Sequence, residues 1–295
     1  MAKKEKPRGR HEEAEYVQEI IDGTLGLDEA AVARRLHSIY RWMKVFMAPT
    51  LVGRENIPEG PCLYIANHST MAADVLVTVP VLYEASGRLV RGMSDEIMYR
   101  NKRMREFVVA SGAVMGNQRI GDALFEAGKD ALLFPGGAYE ANKDLAHRYE
   151  IMWKQRTGFT RMAARHGVPI VPLGIVGPDE WFGRYMDRSE VAKSWLGKLL
   201  KRAGASEDFL HSDQLPPIPR GLFGSVMIPK PQKVYLCIGK PISTRRFKGK
   251  NISRATQEKL RDEARARLER CIADMLLLQA QDKDSSGILR KLLTL

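Results

Sequence analysis

Two side chains in this 295-residue chain are spaced for proton transfer, His68 and Asp74. An apolar run, Cys62-Leu63-Tyr64-Ile65-Ala66, reads as a buried strand that empties into Asn67-His68, and a second apolar run, Val75 to Leu82, follows. A histidine at a strand end with a carboxylate near the next helix start suits a general base and its orienting partner. On one continuous helix the two would face apart, so Ser69 to Ala73 must bend for them to meet. A second strand-like run, Leu132-Leu133-Phe134, ends in Pro135-Gly136-Gly137 and continues Ala138-Tyr139-Glu140. Successive glycines at a strand-to-helix junction let backbone N–H groups converge on an anion or a developing oxyanion. An ordinary tight turn is the other reading of the same residues. Glu140 either orients this glycine turn or caps the helix after it. Arg119, beyond the short strand at 112–115, is a base available to a phosphate, and equally a surface residue at a helix start.

Four segments in order, Asn67-His68 with Asp74, Gly112 to Arg119, Phe134-Pro135-Gly136-Gly137 and Val168-Pro169-Ile170-Val171-Pro172, resemble the blocks of the PlsC-type glycerolipid, or lysophospholipid, acyltransferase family. The likeness runs from about Leu51 to Ile242. The resemblance implies His68 and Asp74 as catalytic residues, with Arg119, Gly136, Gly137, Tyr139 and Glu140 binding substrate. It departs from the family pattern in two places. Five residues separate His68 from Asp74 where the family has four. Gly136 and Ala138-Tyr139-Glu140 stand where many members have Glu and Thr-Arg-Ser, a version similar to the diacylglycerol-acyltransferase branch. The family arginine thought to meet an acceptor phosphate is here Tyr139, which tilts the expected acceptor toward a neutral lipid or a lysophospholipid. The implied activity is O-acyl transfer from an acyl thioester, acyl-coenzyme A or acyl carrier protein, to a glycerolipid hydroxyl. A non-catalytic lipid-binding protein and a lipid hydrolase are the alternatives. The hydrolase needs a Gly-x-Ser-x-Gly elbow, which the sequence lacks.

The net charge of +12 suits an anionic partner. Neither zinc-finger spacing nor a ribonucleoprotein motif accompanies it, so a membrane surface with anionic lipid is expected and nucleic acid is not. The six histidines and three cysteines show no ligand spacing, so neither a metal nor a resident cofactor is expected. Cys62, Cys237 and Cys271 read as buried thiols of a reducing cytoplasm. A charged N-terminus and the lack of an apolar run near 20 residues lead to an expected location in the cytoplasm, peripheral on the inner face of the cell membrane.

Strands are predicted near 50–53, 62–66, 88–92, 112–115, 131–134, 169–175 and 233–238, alternating with helices near 75–86, 95–110, 120–128, 157–166, 189–203 and 253–280. The alternation predicts an α/β fold, a layered, largely parallel sheet flanked by helices. Helices at 12–22 and 28–47 precede it, the second amphipathic with Val32, Leu36, Ile39, Tyr40, Met43, Phe46 and Met47 at helical spacing. That stripe suits a lipid interface, with Trp42 at the headgroups, or packing on the domain, and the two uses are compatible. The expected organisation is 1–48 as a tail (disordered to about residue 12) with amphipathic helices, 49–281 as the acyltransferase domain, and 282–295 as a tail ending in a basic amphipathic piece. Residues 204–232 read as a long loop over one face, and 254–281 as a charge-dense, solvated helix.

Overall fold

The computed structural model describes residues 10–282 apart from Arg100 and Met227. The expectations for residues 1–9 and for the tail at 283–295 lie outside the described residues. Seven strands form one sheet in the order β1-β9-β6-β2-β5-β3-β4: β1 (Thr50–Val52), β2 (Leu63–Ala66), β3 (Val90–Ser94), β4 (Val114–Met115), β5 (Asp130–Leu133), β6 (Ile170–Val176) and β9 (Tyr235–Ile238). Every neighbouring pair is parallel except β6 with β9. The smaller β7 (Gly183–Met186) and β8 (Ile218–Arg220) pair antiparallel. The helices are α1 (Arg10–Leu25), α2 (Glu29–Phe46), α3 (Val75–Ser86), α4 (Lys102–Ala110), α5 (Gln118–Glu126), α6 (Gly137–Ala141), α7 (Gly158–His166), α8 (Arg188–Lys193), α9 (Trp195–Arg202), α10 (Glu207–Leu210) and α11 (Arg254–Asp282).

The unbroken apolar run of β2 is that of a strand covered on both faces. Its side chains alternate: Leu63 and Ile65 enter one core with residues of α1, α5, α7 and α11, while Tyr64 and Ala66 enter the other with Met43 of α2 and Val77 and Val81 of α3. The fold is thus the layered α/β sheet that the alternation predicts.

Four details differ from the sequence expectations. The helix expected at 95–110 opens as a 3-10 turn, Glu96–Tyr99, and α4 begins only after Asn101, whose side chain caps it. The helix expected at 189–203 is two helices, because Ser194 adopts extended backbone and caps α9 with its hydroxyl. Residues 204–232 are not a bare loop: they contain α10 and β8. The charge-dense α11 is not solvated all round, since Leu260, Ala264, Leu268, Ile272 and Met275 recur every three or four residues as a buried stripe.

α2 serves the sheet with one stripe and solvent with another. Val32, Leu36, Met43 and Met47 are buried, while Ile39, Trp42, Val45 and Phe46 are exposed. No described helix is long and apolar enough to cross a membrane.

Candidate active site

Parallel register delivers the two motif loops to one place. Ile65 of β2 pairs with Leu133 of β5, so His68 and Gly136 each stand three residues beyond a matched pair, at the carboxyl edge of adjacent strands. Asn67 locks the exit from β2. Its side-chain amide donates to the carbonyl of Ile175 (2.9 Å) and accepts from the Ile175 N–H (2.8 Å), extending the ladder to β6 by one side chain.

His68 and Asp74 meet. The imidazole Nδ1 lies 2.9 Å and 3.0 Å from the two carboxylate oxygens, and the Asp74 side chain is fully buried. A carboxylate only accepts, so Nδ1 carries the proton and Nε2 keeps the basic lone pair. Asp74 also accepts from the Ser69 N–H (2.9 Å) and the Val75 N–H (3.0 Å), and its own N–H donates to the Ser69 hydroxyl (3.0 Å). The extra residue of the block is absorbed by two consecutive left-handed residues, Met71 (φ 64°) and Ala72 (φ 55°). The His68 ring stacks on Phe134 with centroids 4.2 Å apart, and its side chain is 10% exposed.

Glu140 does neither of the two jobs expected of it. Completely buried, it accepts from the His68 backbone N–H (2.7 Å) and, more weakly, from the Met152 N–H (3.4 Å). Burial pushes its carboxyl up to about 6, against the pull of the nearby Lys143 ammonium and the His68 N–H. It also explains one glycine: a Cβ on Gly136 would stand 1.9 Å from the Glu140 carboxylate. Gly137 adopts φ 52°. Its N–H donates to the Phe134 carbonyl (3.0 Å), so the two glycine amides do not both aim at an incoming oxyanion as the sequence suggested. Arg156 braces the turn from outside, donating to the carbonyls of Pro135 (2.8 Å) and Gly136 (2.7 Å).

Beneath the histidine lies an ion pair, Lys143 with Asp179 at 3.0 Å, both side chains completely buried. Lys143 donates to the His68 carbonyl (2.5 Å), and Asp179 accepts from the Thr70 N–H (2.7 Å) and the Tyr149 N–H (3.1 Å). Arg184 of β7 adds bonds to the Lys143 carbonyl and the Thr70 hydroxyl. Lys143, Arg156, Asp179 and Arg184 were not singled out by sequence. Lys143 stands one helical turn from Glu140, a spacing that gave a signal; Asp179, 36 residues beyond Lys143, gave none.

The remaining predicted residues are spread out. Tyr139 is half-buried with the Lys154 ammonium 3.9 Å from its ring centre and the Arg188 guanidinium 6.0 Å away. The position is therefore not electrically neutral, although both cations also reach Asp213. Arg119 is exposed at the start of α5, its N–H bonded to the capping Asn117 (2.8 Å). It shares the carboxyl edge with His68 but stands three strand positions away, about 14 Å at the usual strand spacing.

A strand-end histidine held by a buried aspartate thus stands beside a glycine turn on a mostly parallel α/β sheet. Residues 48–176 match the family model described as Acyltransferase, a span holding His68, Asp74, Gly136, Gly137 and Glu140. It is similar to phytyl ester synthase 2, chloroplastic, of Arabidopsis thaliana, at 26% identity over 81% of this chain and 36% of that protein. It is also similar to the DGAT1/2-independent enzyme synthesizing storage lipids of Gallus gallus, at 29% identity over 44% of this chain and 39% of that protein. The chain spans about a third of the length of the plant relatives. A crystal structure of the 1-acyl-sn-glycerophosphate acyltransferase PlsC from Thermotoga maritima aligns over 88% of both chains at 14% identity and a TM-score of 0.49.

Proposed function

We propose that this chain transfers an acyl group from an acyl thioester, of coenzyme A or acyl carrier protein, to the hydroxyl of a lipid. The observation that carries the reading is the His68–Asp74 contact, with Nδ1 tied down and the ring partly open. Nε2 takes the acceptor's hydroxyl proton as its oxygen attacks the thioester carbonyl, and Asp74 stabilises the imidazolium that forms. When the tetrahedral intermediate collapses, the C–S bond breaks and the imidazolium returns its proton to the leaving thiolate. Charge on the intermediate's oxygen is met at the Pro135-Gly136-Gly137 turn by the Gly136 N–H, since Pro135 has no N–H and that of Gly137 is spent on the Phe134 carbonyl; Arg156 braces the turn.

The acceptor is a glycerolipid hydroxyl: a lysophospholipid, lysophosphatidate or an acylglycerol. The names of the relatives, a phytyl ester synthase and an enzyme synthesizing storage lipids, speak for neutral lipid esters as products. Lys154 and Arg188 around Tyr139 speak for a phosphate. The same reading has the enzyme peripheral on the inner face of the cell membrane, with the exposed stripe of α2 toward anionic lipid.

The test is thioester release and ester formation with His68→Ala, and with an acceptor panel. His68→Ala falls by about 10²–10⁴-fold with the fold intact. Near-normal turnover by a folded His68→Ala protein sinks the mechanism. A lysophosphatidate preference lost in Arg119→Ala assigns the phosphate to Arg119; one lost in Lys154→Ala assigns it to the Tyr139 group.

A further inference from the structure

Phe223 is an aromatic residue displayed at a cost. It is 88% exposed, at φ 52° in a turn closed by hydrogen bonds from Gly221 N to Ser225 O (2.6 Å) and from Leu222 N to Ile228 O (2.8 Å). A left-handed conformation is unfavourable for a bulky side chain and asks for a reason. Val226 and Ile228 are exposed in the same turn. Tyr185 of β7 fixes the tip by donating to the Gly224 carbonyl (2.8 Å).

A short segment of chain leads from the turn to a second apolar display. From Ile228 the chain runs past Lys230, whose N–H bonds the Trp181 carbonyl, to Val234, whose N–H bonds the Met47 carbonyl at the end of α2 (each 3.0 Å). Val234 lies four positions beyond Lys230, a reach of at most about 14 Å. There α2 exposes Trp42 and Phe46, rings 4.6 Å apart, beside Val45 at 70% exposure. Along the sequence the charge at both displays has one sign, although Lys233 is paired in space with Asp282 at 2.9 Å. Residues 30–54 contain Arg34, Arg35, Arg41, Lys44 and Arg54, residues 214–233 contain Arg220, Lys230 and Lys233, and neither stretch holds an acid. Scattered exposed apolar residues need no explanation, but two groups joined by a short segment and flanked by cations along the sequence do.

We infer that the Phe223 turn and the end of α2 form one docking surface for a bilayer carrying anionic lipid, with Phe223 as the inserting wedge. Aromatic rings enter the interface while arginine and lysine meet the headgroup phosphates. The inference deepens the proposed lipid-acceptor reading and rests on it, yet vesicle binding needs no turnover. A failed docking test therefore leaves the transfer assay standing, and the reverse.

The full chain is mixed with vesicles of phosphatidylcholine alone, or of phosphatidylcholine with phosphatidylglycerol, and sedimented. The expected result is binding to the mixed vesicles that added salt weakens. Phe223→Gly relieves the backbone while deleting the ring, so it folds at least as well, and lowers affinity by about tenfold or more. Phe223→Trp gains emission that shifts to the blue on the mixed vesicles and is quenched by brominated acyl chains. Arg220→Gln with Lys230→Gln flattens the salt dependence. Unchanged binding by Phe223→Gly, equal binding to neutral vesicles, or no acyl-chain quenching overturns the proposal. So does a wild-type oligomer that Phe223→Gly converts to monomer, which gives the surface to a second copy of the chain.

Discussion

The two edges of the seven-stranded sheet bury different things. At the carboxyl edge of β2 and β5, Asp74, Glu140, Lys143 and Asp179 are sealed from solvent, each held by named partners. At the other edge, beyond the ends of β1 and β9, lies a cleft of about 390 Å³ lined by Asn56, Lys240, Arg267, Arg270 and the thiols of Cys237 and Cys271. There the Cys271 thiol draws Cys237 below the ordinary thiol range, while Cys271 itself is raised by that contact and by burial. Buried charge marks the candidate chemistry, because desolvating ions is costly and packing alone would have used apolar residues. What the charges secure is the placement of His68: its N–H, its carbonyl and its ring each have a dedicated partner.

The contrast can be broken most severely at Lys143. Lys143→Met leaves Asp179 buried without its cation, and unfolding in denaturant should show a loss of about 3–5 kcal/mol. Equal losses from Arg267→Met at the cleft would erase the difference between the edges. A matched pair of glycine substitutions sharpens it. A Cβ on Gly174 would meet Cys271 at 2.7 Å where α11 docks, and one on Gly136 would meet Glu140. Each overpacked variant should lose about 1–3 kcal/mol. Only Gly136→Ala should also lose transfer per folded molecule, because it displaces the group that holds the His68 N–H.

Glu140 predicts a pH effect of about 2 kcal/mol, given about 1.4 kcal/mol per unit of pKa. Its folded pKa is raised from 4.5 to about 6, so the folded state holds the proton more tightly than the unfolded chain. Its contribution is fully present below about 4.5 and is lost as pH rises through about 6. Denaturant midpoints across that window should fall for the wild type and stay flatter for Glu140→Gln. The smallest effect belongs to Arg267→Met, whose guanidinium is partly solvated and bonds Glu263 and two carbonyls; its loss should stay under about 1 kcal/mol.

The sequence showed most where the determining contacts are local. All seven strands of the main sheet lie in or beside segments that read as strands, although β3 carries Arg91 and Ser94, and His68 with Asp74 was legible because six positions separate them. β7 and β8 were not, since they are short, pair across more than 30 residues and include Pro219. The buried stripe of α11 is present in the sequence but interleaved with arginines and glutamates, which invited a solvated reading. The Lys143–Asp179 pair joins an α6 flank to the turn after β6, a contact that only the parallel register of β2 with β5 and β6 creates. Tyr139 shows the opposite failing: its identity was read correctly, and its electrical surroundings came from Lys154 and Arg188, distant in sequence.

The left-handed pair Met71-Ala72 bears on how this loop tolerates insertions and deletions. Its ends are fixed by Asn67 on β6, by Thr70 on Asp179 and by Asp74 at the start of α3, so the residues between them need only close a gap. The surplus is taken up as a bulge whose Met71 faces outward. With both ends held by hydrogen bonds, the imidazole and the carboxylate stay in contact, and the left-handed backbone between them carries the added length.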